Sequence, residues 1–146
     1  MAKIEDIEEL WNNDCEIDSV MLDVAALDIP KLHNKYLIIH NEVRLLLLQL
    51  EEKYNDLAMI KSSYYTGKMS KEELDEKGWE PFQIKVLRSD VKSYLETDPD
   101  VRKIKTRIEY NKIVLEYLKS IIEQINKRNF SISSAIAWRK FTSGEH

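Results

Sequence analysis

Residues Met59-Ile60-Lys61-Ser62-Ser63-Tyr64-Tyr65-Thr66-Gly67-Lys68 put two adjacent tyrosines among lysines, hydroxyls and a glycine. Aromatic faces stack on bases and lysines neutralise phosphates. Lys61, Tyr64, Tyr65, Thr66 and Lys68 therefore have the chemistry of a single-stranded nucleic-acid contact. Ser62 and Ser63 could donate to phosphate oxygens beside them. The run from residue 85 to 92 adds a second basic cluster, Lys85, Arg88 and Lys92. By spacing alone the tyrosine pair reads sooner as a packed helix end, which is the commoner use of such a pair.

Other chemistries lack their residues. Gly67, Gly78 and Gly144 are the only glycines, and they cannot form a phosphate-cradling loop. His33, His40 and His146 are scattered, so no metal site is read from them. The carboxylates sit in charged runs, where a solvated face is the default. No nucleophile stands at a spacing that pairs it with a base. The chain reads as a non-enzyme without cofactor or metal. Cys15 is the only cysteine, so no intrachain disulfide forms, and a reducing compartment suits the chain. The beginning lacks the apolar core of a signal peptide, and no apolar run is long enough to span a membrane. Together these describe a soluble, intracellular protein with no membrane partner.

Charge is distributed unevenly. The formal net charge of the 146 residues is −4, yet residues 1–29 carry nine acids against Lys3 alone. Residues 102–128 reverse the balance, with eight Lys or Arg against Glu109, Glu116 and Glu123. An acidic chain can thus carry a basic face that meets a polyanion.

The elements that would position these groups are helical. Apolar residues make up 43% and charged residues 33%, with three Gly and three Pro, which favours long helices over a many-turned β fold. The expected class is all-α: two long heptad-patterned helices plus short terminal helices, in an oligomeric assembly. One domain is expected over 1–146. Within it, 1–29 is an acidic N-terminal segment and 30–67 a long helix ending in the tyrosine–lysine motif. Residues 68–98 form a connection, 99–129 a second long helix, and 130–146 a C-terminal assembly helix. The alternation of Phe82, Ile84 and Val86 with polar neighbours allows a short extended segment near 82–87.

Leu32, Tyr36, Ile39, Val43, Leu46, Leu50, Lys53, Leu57, Ile60 and Tyr64 follow at alternating four and three spacings. A helix of about 36 residues would be roughly 54 Å long, and Leu45-Leu46-Leu47-Leu48 makes it apolar on several faces. A neighbouring subunit is the favoured second burial surface. Thr97-Asp98-Pro99-Asp100 starts the second long helix with a capping side chain, a proline and an acid. Its seam includes Ile108, Asn111, Leu115, Leu118, Ile122 and Ile125, with Asn111 the polar residue that can fix register. Phe130, Ile132, Ile136, Trp138 and Phe141 give the last segment a large apolar face. Leu46, Leu50, Asn111, Leu115, Leu118 and Ile122, with those five, are the expected oligomer interface.

The same residues carry a resemblance. Lys61-Ser62-Ser63-Tyr64-Tyr65-Thr66-Gly67-Lys68 is similar to the basic–Tyr-Tyr-Ser-Gly-basic motif of the UvsY family of bacteriophage recombination mediators. Ile125-Asn126-Lys127-Arg128-Asn129-Phe130-Ser131-Ile132 and Arg139-Lys140-Phe141 resemble that family's C-terminal block. The similarity runs over about residues 18–67 and 99–143, and the middle diverges. It implies a mediator that binds single-stranded DNA and helps load a RecA-like phage recombinase by displacing the phage single-strand-binding protein. It further implies a ring-like homo-oligomer, a hexamer or heptamer, in the cytoplasm of the infected bacterial host. In the family, basic residues just before the tyrosine pair contact DNA and the C-terminal region drives assembly. Lys61 keeps one such charge, whereas Met59 stands where the pattern has a lysine. Lys68, Lys85, Arg88 or Lys92 would then share the task. The rival reading is a structural or scaffold helical oligomer that ignores DNA.

Overall fold

Glycine and proline are missing from two long stretches, apart from prolines in their first turns, and those stretches become the two long helices. The computed structural model describes residues 3–84 and 86–144. Six helices follow in order: α1 (Ile4–Asp14), α2 (Leu22–Leu27), α3 (Ile29–Tyr65), α4 (Lys71–Lys77), α5 (Val91–Thr97) and α6 (Pro99–Thr142). The fold is all-helical, and no strand occurs among the described residues.

Two expectations change. In the segment near 82–87, the described residues 82–84 and 86–87 are bends and coil, not extended pairing. No neighbouring strand takes its backbone bonds, and Phe82 and Val86 instead turn inward while Ile84 and Leu87 stay exposed. The second long helix does not stop at Asn129, because α6 runs 44 residues to Thr142. An asparagine costs a helix only about 0.7 kcal/mol relative to alanine. Arg128 and Ile132, buried on either side of it, hold the next turn in place. The expected separate helix over 130–146 is therefore, to Thr142, the end of α6.

The described chain divides into two compact units, both drawing on α3 and α6. One comprises the described residues up to Leu45 and from Asn111 onward. Its core joins Ile7 of α1, Tyr36 and Val43 of α3, and Val114, Leu118, Ile121 and Ile125 of α6. The α6 residues are spaced four, three and four, which keeps them on one face. Asp14, closing α1, accepts from Lys35 Nζ at 2.6 Å and from the Tyr36 hydroxyl at 2.8 Å. Arg128 donates to the Asp14 carbonyl, and its guanidinium lies 5.9 Å from the centre of the Trp11 ring.

The other unit is Leu46–Tyr110 and holds the tyrosine–lysine motif. Its α4 starts at Ser70, whose hydroxyl accepts the Glu73 N–H, and ends at Gly78. A small core of Tyr65, Val86 and Val91 gathers Tyr64, Phe82, Tyr94 and Leu95 around it.

Candidate nucleic-acid interface

The motif occupies the last two turns of α3 and the turn that follows. Gly67, at φ 72°, closes the helix in the left-handed conformation that glycine adopts at least cost. The Gly67 N–H bonds the Tyr64 carbonyl at 3.2 Å, and the Lys68 N–H bonds the Ser63 carbonyl at 2.9 Å. Lys68 is thereby fixed at the surface. Ser62 and Thr66 turn their hydroxyls back onto the carbonyls of Ala58 and Ser62, both at 2.7 Å.

Lys61 points the other way. It is only 7% exposed, with Nζ 3.2 Å from Asp98 Oδ2 and 3.1 Å from Asp100 Oδ2. The Trp79 ring centre lies 4.2 Å from the same nitrogen. Burial pulls the Lys61 pKa down, but the Asp100 and Asp98 carboxylates outweigh it and hold the ammonium above the ordinary lysine value. Asp98 is the hub of this network. Its Oδ1 accepts the N–H groups of Asp100 and Val101, capping α6, while Oδ2 accepts the Tyr65 hydroxyl at 2.6 Å. Burial alone would raise the Asp98 carboxyl. The Tyr65 hydroxyl, the Val101 N–H and Lys61 together hold it below the usual carboxylate range.

Tyr64 and Tyr65 are likewise spent inside the unit. With Trp79, Phe82 and Tyr94 they form an aromatic cluster whose ring centres lie between 4.9 and 5.8 Å apart. The Tyr64 hydroxyl donates to the Glu80 carbonyl at 2.7 Å. Burial pushes the Tyr65 hydroxyl well above its ordinary pKa, and the Asp98 hydrogen bond adds to the shift.

The inward turn of Lys61 and Tyr65 has a geometric cause. A strict heptad seam drifts about 20° per repeat on a straight helix, so over four repeats it slips by nearly one residue. The seam marked Ile60 and Tyr64, while the buried line passes through Tyr36, Val43, Leu47, Leu50, Lys61 and Tyr65.

What the motif leaves outside is a groove of about 740 Å³. Lys68 from the turn after α3, Arg88 from the loop and Lys92 from α5 supply its cations. Met59 and Leu87, both largely exposed, and Leu95 supply apolar surface, with Ser63 and Thr66 along the α3 wall. Among the described residues, no carboxylate lines it. The adjoining hollow past Met59 differs, carrying Glu73 and Glu76 beside Lys77. Of the expected DNA contacts, the structure thus gathers Thr66, Lys68, Arg88 and Lys92 on one groove and directs Lys61, Tyr64 and Tyr65 away from it. Lys85 lies outside the described residues.

The expected oligomer residues separate as well. Leu50, Asn111, Leu118 and Ile132 are instead buried by their own chain, and Leu46, Leu115 and Ile122 are half-buried. Phe130, Ile136, Trp138 and Phe141 remain exposed, and the Trp138 and Phe141 rings stack at 5.9 Å. Three residues carry structure that sequence reasoning did not assign to them. The cap signal located Asp98, but nothing local ties Asp98, Asp100 and Trp79 to Lys61. Among the described residues no group of three or more His, Cys, Asp or Glu could hold a metal ion. Nor is any described helix long and apolar enough to cross a membrane.

Known proteins share this arrangement of helices. The chain is 27% identical to the recombination protein uvsY of Enterobacteria phage T4 over 143 residues, covering 98% of this chain and 99% of that protein. Crystal structures of the bacteriophage T4 recombination mediator protein UvsY superpose closely. The type IV lattice gives a TM-score of 0.86 at 25% identity, over 96% of this chain and 99% of the other. The type I lattice gives 0.83 at 26% identity, over 94% and 98%. Residues 10–145, which include α3, α6 and the basic groove, match the family described as recombination, repair and ssDNA binding protein UvsY, and the chain belongs to that family.

Proposed function

We propose that this chain is a recombination mediator. It holds single-stranded DNA and helps load a RecA-like phage recombinase by displacing the phage single-strand-binding protein, in the cytoplasm of an infected bacterium. The observation that carries this reading is the convergence of Lys68, Arg88 and Lys92 on a groove that no described carboxylate lines. One such groove engages few phosphates, so a single protomer binds weakly and is easily displaced by salt. A ring-like homo-oligomer, a hexamer or heptamer, repeats the groove and gains avidity without new contacts. Phe130, Trp138 and Phe141 form the assembly surface in this reading, since large exposed apolar groups mark interaction sites.

The test is fluorescence anisotropy of a labelled, unstructured oligonucleotide titrated with full-length protein across a salt series. Binding that weakens linearly in the logarithm of salt is expected. No binding at low salt sinks the reading. The burial of Lys61 favours the rival, a helical assembly protein indifferent to DNA, and the same titration separates the two.

A further inference from the structure

The strand has two candidate seats on the Leu46–Tyr110 unit, the lysine before the tyrosine pair and the groove on the opposite wall of α3. Lys61 offers a strand very little. Its ammonium already faces two carboxylates and the Trp79 ring, and a phosphate could reach it only by displacing Asp98 or Asp100. Asp98 cannot leave without undoing the cap of α6 and the Tyr65 hydrogen bond. The groove cations are in the opposite condition. Lys68, Arg88 and Lys92 are exposed, come from three separate segments, and share their groove with no acid among the described residues. Beside them, the aliphatic side chains of Met59 and Leu87 leave an apolar surface that the face of an unpaired base can cover. A duplex keeps its base faces stacked and hidden.

Resting on the single-stranded-DNA reading above, we infer that phosphates of the strand sit on Lys68, Arg88 and Lys92, with a base against Met59 and Leu87. Lys61 takes no phosphate: it is a positioning residue that holds the groove's α3 wall against the start of α6. The residue type that looked most like a DNA contact is thus the groove's brace.

Salt dependence separates the two roles, because each phosphate contact on a single strand adds about 0.7 to the slope of log affinity against log salt. The experiment measures that slope by anisotropy with labelled oligo-dT, on full-length protein, alongside thermal melting. Lys68→Gln, Arg88→Gln and Lys92→Gln are each expected to lower the slope by about 0.7 per engaged protomer with an unchanged melting temperature. Lys61→Met is expected to lower the melting temperature and leave the slope as it was. Leu87→Ser should weaken binding at every salt concentration with no change of slope. A slope lowered in Lys61→Met overturns the inference, and so does a wild-type slope in the triple groove variant. Should Lys61→Met fail to fold, Asp100→Asn releases only the outer partner. An unchanged slope there supports the brace, and a steeper one shows Lys61 swinging to the strand and overturns it. A wild type that binds no strand overturns this inference together with the functional reading; binding that ignores the groove variants overturns this inference alone.

Discussion

At the scale of single residues, Asp98 matters most to the motif's surroundings. One buried carboxylate takes two backbone N–H groups, a phenol and an ammonium. Asp98→Asn leaves Lys61 paired with Asp100 alone and weakens the charge-assisted bond from the Tyr65 hydroxyl, so it is expected to cost about 2 kcal/mol, read from urea unfolding. Its pH dependence has a definite sign. The folded Asp98 carboxyl titrates below its unfolded value, so the stability it gives is complete above about pH 4 and is lost as pH falls through the folded value. Lys61 and Tyr65 are shifted upward, so their contribution holds to about pH 10 and is lost as pH rises through the folded values. Melting temperatures should therefore fall at both ends of the range, and Asp98→Asn should flatten the acid limb. The cap position of Asp98 was legible, because Thr97-Asp98-Pro99 is a local signal. Its second oxygen was not, because the Tyr65 hydroxyl comes from 33 residues away.

At the scale of elements, the ends of the long helices were legible where proline or glycine marked them, whereas α4, closed by Gly78, and α5 lie in what read as a connection. Both ends of α3 and the beginning of α6 follow from Pro30, Gly67 and Pro99. Asn129 misled because a mild propensity is overridden by buried neighbours on the same face. The heptad pattern of α3 misled more subtly: it identified a buried helix but not the buried line at its far end, where the drift of a straight helix exchanges Ile60 and Tyr64 for Lys61 and Tyr65. Gly67 gives a clean test of the turn. A Cβ there meets nothing within 4 Å, so Gly67→Ala carries backbone strain alone. The expected loss is about 1 kcal/mol in equilibrium unfolding. A loss below a few tenths would mean that the left-handed turn is not held.

For the molecule as a whole, the apolar side chains fall into two populations. Leu50, Leu118 and Ile132 are consumed within the chain, whereas Phe130, Trp138 and Phe141 stand on the last turns of α6 with about two thirds or more of their surface in solvent. Under the assembly proposed above, contact through the second population would leave the folded protomer intact. Trp138→Ser with Phe141→Ser is expected to lower the sedimentation coefficient to that of a smaller species without shifting the circular-dichroism melt of the helices. An unchanged coefficient would turn attention to other exposed groups, such as Leu45 and Leu48. The sequence made the apolar content of these helices plain. It could not say which part is spent internally, because that depends on which faces α1 and the loop before α5 come to cover.

The Asp98 hub also bears on how the chain opens. Helix ends ordinarily fray, exchanging their first amide protons with solvent almost as fast as an open chain does. The amides of Asp100 and Val101 are held by a carboxylate that is itself gripped from α3, so they cannot open unless the Lys61 and Tyr65 contacts open with them. In native-state hydrogen exchange these two amides should be protected together with the last turns of α3, as one cooperative unit, and should lose that protection together in Lys61→Met. Independent exchange of the two segments would show the hub to be a contact without cooperativity.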